Sequence, residues 1–321
     1  MAHSLFPDLT ASTLLPPFRT LLITGCYPPS APIHLALSHL SGQNSATGIL
    51  RKKQRVLLIT PSRGDFSSRL EAYNDERLNA QSGHGQMTHL LSKIDILYAP
   101  TPAHLTLLLS MLHIPSATPP LSENIRDPKV ALHDPPSLVI LHELGSYFSS
   151  SEAREAHTLS EYVALVANAL SALQYLSIHQ NDPDPRLVLF DSGVRDLRLP
   201  LLKPLPSQDL LMPEDYGESS SRKERVFDAV KRYFEWVGDV ELLEYIPSSR
   251  SSPFEIPMDI DEDEDGAPEP LYTSKTHRMT LVVNPSIRRS GQHTEPIVWE
   301  WAEKAAKKVP SRKRGVVIVW E

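Results

Sequence analysis

The stretch Gly25-Cys26-Tyr27-Pro28-Pro29-Ser30-Ala31-Pro32 lies between an apolar run and a helical one. A phosphate-binding loop of the form G-x-x-x-x-G-K-[ST] would stand in that place. In such a loop glycines let backbone N–H groups wrap the phosphates, the lysine holds their charge and the hydroxyl takes Mg²⁺. Here Gly25 is in place, but Ser30 stands at the second glycine, Ala31 at the lysine and Pro32 at the serine or threonine. Prolines at 28, 29 and 32 also remove N–H donors from a loop whose task would be to donate them. The residues predict no nucleotide bound at this loop. Two readings stay open: a contact surface formed by Tyr27 and the prolines, or an ordinary strand-to-helix turn.

A second candidate is "LVILHELGSYF", where four apolar residues lead to the position of an Mg²⁺-coordinating carboxylate. His142 stands there, a poor ligand for a hard cation, with Glu143 beside it. Glu143 is able to activate a water, but only where a nucleotide is present to be attacked. Other chemistries find no support. The chain has no G-x-S-x-G, H-E-x-x-H or G-x-G-x-x-G. His84, His89, His133 and His142 are scattered and read as structural or exposed, so neither a metal nor any other cofactor is expected. Cys26 is the single cysteine, with no adjacent histidine or C-x-x-C, which argues against a nucleophile, a disulfide or a multi-cysteine zinc site.

The elements that must position these residues alternate. "FRTLLIT", "RVLLITP", "KIDILYAP", "SLVILHEL" and "RLVLFDSG" are short apolar runs of the kind that form buried parallel strands. Between them the spacing predicts helices over "IHLALSHLSG", "DFSSRLEAYNDERLNAQSG", "AHLTLLLSMLH" and "TLSEYVALVANALSALQYLSIHQ". In the last, Tyr162, Leu165, Val166, Ala169, Leu173 and Leu176 mark the buried face. Five strands joined by helices predict an α/β fold with a mostly parallel sheet covered on both faces.

The later chain differs in character. Residues 199–275 read as a Pro/Ser-rich insertion with one helix, "SRKERVFDAVKRYFEWVGDVELLEYI", followed by a disordered acidic run, "MDIDEDEDGAPEP". Residues 276–321 read as strands completing the core, "RMTLVVNP" and "RGVVIVWE", with "PIVWEWAEKAAKKV" as a short helix or a strand between them, and a basic tail. Residues 1–17 form an N-terminal extension and 18–198 the α/β core. No stretch reaches the roughly 18–20 apolar residues that span a bilayer, and no secretory signal is expected at the start.

The order of pieces resembles the RecA-type recombinase core, a P-loop NTPase fold, with degenerate Walker motifs. In that family the Walker B strand leads into a long helix and then a strand ending in a polar residue near the γ-phosphate. Here "SLVILHELGSYF", the helix from Thr158 to Gln180 and "RLVLFDSG" follow that order, with Asp191 or Ser192 at the sensor position. Within the family the chain is similar to the small core-only members that partner SWIM-domain proteins in Shu-type complexes. The resemblance implies a nuclear pseudo-ATPase that assists homologous recombination and DNA repair. Its implied partners are a SWIM-domain protein and a recombinase or recombinase paralogue, together with single-stranded or forked DNA. The alternative from another class is a transferase-like small-molecule enzyme with its pocket at the carboxyl ends of the strands.

A net charge of −7 offers no global attraction to nucleic acid, so DNA contact would need local basic clusters. Candidates are Arg51, Lys52, Lys53 and Arg55; Arg195 and Arg198; Arg288 and Arg289; and Lys304, Lys307, Lys308, Arg312, Lys313 and Arg314. Trp299 and Trp301 lie near the densest cluster and are able to stack on bases if exposed. The family's DNA-contacting loops follow the fourth and fifth strands, so the resemblance favours Arg195 and Arg198. Each cluster reads equally as a solvated face.

Overall fold

A computed structural model describes residues 4–6, 14–41, 54–112, 136–149, 157–178, 185–202, 222–247, 273–284, 295–305 and 315–320. The acidic run at 258–270 lies outside them. The described chain is α/β, built on a nine-stranded sheet. Five strands match the apolar runs of the first half: β1 (Thr20–Gly25), β2 (Arg55–Thr60), β3 (Ile94–Tyr98), β4 (Pro136–His142) and β5 (Arg186–Asp191). A short antiparallel pair, β6 (Arg198–Pro200) and β7 (Lys223–Arg225), forms a separate two-stranded sheet. The remaining strands are β8 (Trp236–Pro247), β9 (Thr273–Val283), β10 (Ile297–Ala305) and β11 (Val316–Trp320).

The sheet order is β11-β10-β9-β8-β1-β5-β4-β2-β3. From β8 to β3 every pairing is parallel, and from β8 to β11 every pairing is antiparallel. The parallel strands bury both parities of side chain. Leu21, Ile23, Val56, Leu58, Ile140, Val188 and Phe190 face one layer. Leu22, Leu57, Ile59, Val139, Leu141, Leu187 and Leu189 face the other. Two-sided burial is why these strands read as unbroken apolar runs.

Helix α1 (Ala31–Ser41) packs on the first face, through Leu35, Ala36, Leu37 and Leu40. Helices α5 (Pro102–Met111) and α6 (Leu159–Ile178) pack on the second. All six positions expected on the buried face of α6 are buried. The single helix expected through residues 65–83 is instead two, α2 (Arg63–Tyr73) and α3 (Glu76–Gln81), followed by α4 (Gly85–Leu91). Asn74 ends α2 in the left-handed region at φ 51°, and Asp75 caps α3 by accepting from the Leu78 N–H at 3.0 Å. The buried Asp75 also accepts from Ser30 Oγ at 2.7 Å and His34 Nε2 at 2.8 Å. Burial opposes its charge, but these bonds outweigh it and hold the carboxyl below its usual value. That network locks the α2–α3 break to the start of α1.

The long helix expected over residues 221–246 is corrected. Only α7 (Val226–Val230) and one 3-10 turn (Lys231–Tyr233) are helical, and β8 follows. Beyond Phe234 the burial alternates: Trp236, Gly238 and Val240 are buried, while Val237 and Asp239 between them are less so. Period two on one covered face is a strand signal, and β8 is a sixth parallel strand beside β1. The segment 199–275 therefore contributes to the central sheet.

Candidate functional site

Because β5 lies between β1 and β4, the carboxyl ends of all three strands meet. Gly25 ends β1 at φ +84°, and a Cβ built on it would sit 2.1 Å from the Val240 carbonyl oxygen of β8. Only glycine fits that approach. The loop that follows donates from Cys26 N to the same carbonyl at 2.9 Å, then turns into α1 by the Ala31 N–H bonding to Pro28 O. Ser30, Ala31 and Pro32 are buried as the start of α1, so none of them faces an open phosphate-sized space.

Tyr27 reaches out of this loop and donates its hydroxyl to Glu143 Oε1 at 2.6 Å. Ser192, beyond the end of β5, donates to Glu143 Oε2 at 2.9 Å. Arg69 of α2 approaches Oε1 at 3.3 Å from the solvent side. Glu143 is held in the left-handed region at φ 55°, its N–H bonded to Phe190 O at 2.6 Å. Burial, then the Glu143 carboxylate, push the Tyr27 hydroxyl far above its usual range, so it stays a donor. Together with His142 and Phe66 these residues line a cleft of about 310 Å³.

His142 points into the apolar layer, edge-on to Phe66 at 5.1 Å and bonded through Nδ1 to Thr60 Oγ1 at 3.1 Å. Burial lowers its pKa to about 4, so the ring is neutral at physiological pH. Asp191 is fully buried behind Glu143 and accepts from Gly145 N at 2.7 Å and Tyr162 Oη at 2.5 Å. It pins the 3-10 turn Leu144–Phe148 and α6 to the end of β5. Burial first, then the nearby Glu143 charge, raise its pKa to about 7 against those hydrogen bonds. Of the two sensor candidates, Ser192 reaches the cleft and Asp191 serves the scaffold.

Beside this cleft a larger one of about 1320 Å³ opens at the carboxyl ends of β2, β3 and β4. Arg69, Arg63, Tyr98, Tyr147 and His157 are among its lining residues. Sequence reasoning did not find Arg69, which is one polar residue among many on α2. Nothing in its spacing marks it; only the packing of α2 beside β4 does.

The basic candidates fare unequally. Arg195 donates through Nε to Thr24 at 3.1 Å and pairs with Asp239 at 2.8 Å, with its guanidinium over the Phe227 ring. Arg198 is exposed at the start of β6. Arg55 is bound to Asp95 by two hydrogen bonds of 2.7 and 2.6 Å. Arg288, Arg289, Lys307, Lys308, Arg312, Lys313 and Arg314 lie outside the described residues, as do Arg51, Lys52 and Lys53. The expectation that Trp299 and Trp301 offer faces for base stacking is corrected. Both are on β10, two residues apart, and alternation turns both to the covered face, where Trp301 is wholly buried against Phe6 and His277.

A scan against protein-family models and a search of the curated proteins both find no match. Among the described residues no helix is long and apolar enough to cross a membrane. Nor do they contain a group of three or more His, Cys, Asp or Glu side chains that could hold a metal ion.

Proposed function

We propose that the chain is a non-catalytic, RecA-like recombination mediator. It acts by protein contacts and by contact with single-stranded or forked DNA. Its partners in this reading are a SWIM-domain protein and a recombinase or recombinase paralogue, in the nucleus. One observation carries the pseudo-ATPase half. The three positions that the resemblance assigns to nucleotide chemistry converge at the carboxyl ends of neighbouring central strands, yet the space between them holds a Tyr27–Glu143–Ser192 cluster. A carboxylate there repels phosphate, and no lysine stands at the loop to offset it. The recombination half is supported by the resemblance alone.

ATP–Mg²⁺ titrated into the purified chain is expected to give no saturable signal. Tight binding that Tyr27→Ala or Glu143→Ala alters would overturn the pseudo-ATPase reading. Forked DNA is expected to bind at low salt, alone or with the copurified partner, and to dissociate as salt rises. Absence of binding in both forms leaves an assembly subunit without a DNA role.

The second reading, a small-molecule enzyme, is favoured by the 1320 Å³ cleft at the carboxyl ends of the strands. It would prevail if a metabolite screen raised the melting temperature and Arg63→Ala or Tyr98→Ala removed that shift.

A further inference from the structure

Glu143 is a carboxylate prepared to receive something. Its residue is 7% exposed, yet it lines an open cleft. A carboxylate offers about four lone-pair sites. Among the described residues Oε1 takes Tyr27 and Arg69, and Oε2 takes Ser192. The two hydroxyl donors come from neighbouring strand ends, the loop after β1 and the turn after β5, one to each oxygen, and they fix the direction of the carboxylate. Arg69 is different. It is 52% exposed and makes a single 3.3 Å approach, the kind of solvent-screened contact that contributes little.

We propose that this cleft takes a guanidinium or ammonium side chain from a partner protein, and that Arg69 is the internal cation holding the place in the free chain. The inference rests on the reading of the cleft as one that takes no nucleotide. Arg69 itself shows that the opening admits a guanidinium. An incoming arginine able to reach both oxygens would make the two-pronged contact that Arg69 does not. A protein is the favoured source because Arg69 also lines the adjoining 1320 Å³ cleft, so that displacing it joins the two spaces into one continuous surface. Anionic ligands are disfavoured by Glu143 itself.

The test uses the full chain, labelled with ¹⁵N, titrated with methylguanidinium chloride against sodium chloride at matched ionic strength. The expected result is a saturable shift of the Tyr27, Glu143 and Ser192 amides, with a dissociation constant on the order of 1 mM for one isolated group. Arg69→Ala, a change at an exposed side chain, is expected to tighten binding about 3-fold or more because the competitor is gone. Glu143→Gln is expected to abolish saturation. No saturable shift in either the wild type or Arg69→Ala overturns the proposal, whether or not Glu143→Gln folds. Undiminished shifts in folded Glu143→Gln do the same. Micromolar binding of methylguanidinium alone would assign the cleft to a free guanidinium compound and overturn the protein-partner half. ATP–Mg²⁺ is titrated in parallel. Shifts of the same amides by ATP defeat the no-nucleotide reading, whereas silence of both probes defeats only this inference.

Discussion

Strands β1, β2, β4 and β5 are covered on both faces, whereas β9, β10 and β11 are covered on one. In the extension, Met279, Leu281, Trp299, Trp301 and Ile318 join the first core layer, while Val282, Val298 and Val317 are 44%, 50% and 37% exposed on the other side. The difference follows from what each region can pack against. Crossover helices cover the parallel strands on both sides. Among the described residues no helix lies between the antiparallel strands. One half of the sheet can therefore carry a polar cleft at its end on a rigid base, and the other presents an open face.

That contrast can be broken at its strongest point. Phe190→Ala, in the doubly covered β5, is expected to cost about 3–5 kcal/mol, read as a fall in the urea midpoint at constant slope. Trp301→Ala should cost a similar amount, because its ring is as fully buried despite lying in the singly covered region; a loss below about 1 kcal/mol would show that the covered face of the extension is loosely packed.

The seam between the regions is Gly25 against Val240. Gly25→Ala forces a Cβ onto a carbonyl oxygen at a positive φ, and is expected to cost at least about 1–3 kcal/mol by strain alone, visible in thermal unfolding. A neutral result would mean that β8 is free to shift away from β1.

The end of the sheet sharpens the comparison through pH. Asp191 has a folded pKa near 7 against a usual value of 3.8. Its folded state holds the proton more tightly, so its contribution to stability is full below about pH 4 and is lost as pH rises through 7. His142 acts in the opposite direction: its folded pKa of about 4 lies below 6.5, so stability rises across that window. Asp191→Asn is therefore expected to gain stability relative to wild type as pH goes from 4 to 8, measured by urea titration at each pH. A pH-independent difference would remove Asp191 as the source. The smallest effect belongs to the open face, where Val282→Thr should stay within about 0.5 kcal/mol.

Much of the parallel half was legible in the residues. The apolar runs around Leu21, Leu57, Ile140 and Leu189 mark strands because both of their faces are buried, and Tyr162 through Leu176 mark the buried stripe of α6. The extension was less legible. Val226, Val230 and Phe234 have helical spacing and are buried, but the chain straightens at Phe234, and Gly238 and Asp239 are strand residues only because β1 offers its edge. The Asn74-Asp75 pair carried a helix-break signal that the longer amphipathic pattern masked.

The sequence by itself determined the alternating α/β class and the absence of a G-x-x-x-x-G-K-[ST] pattern at residues 25–32, since both follow from residue types at short spacing. Tertiary structure alone decided what fills the space instead. Tyr27, Arg69, Glu143 and Ser192 are distant in the chain, and they meet because β5 lies between β1 and β4 while α2 packs beside them. Local pattern specifies elements; the order in which a sheet assembles them sets which strand ends share a site, and that order depends on burial summed over the whole molecule.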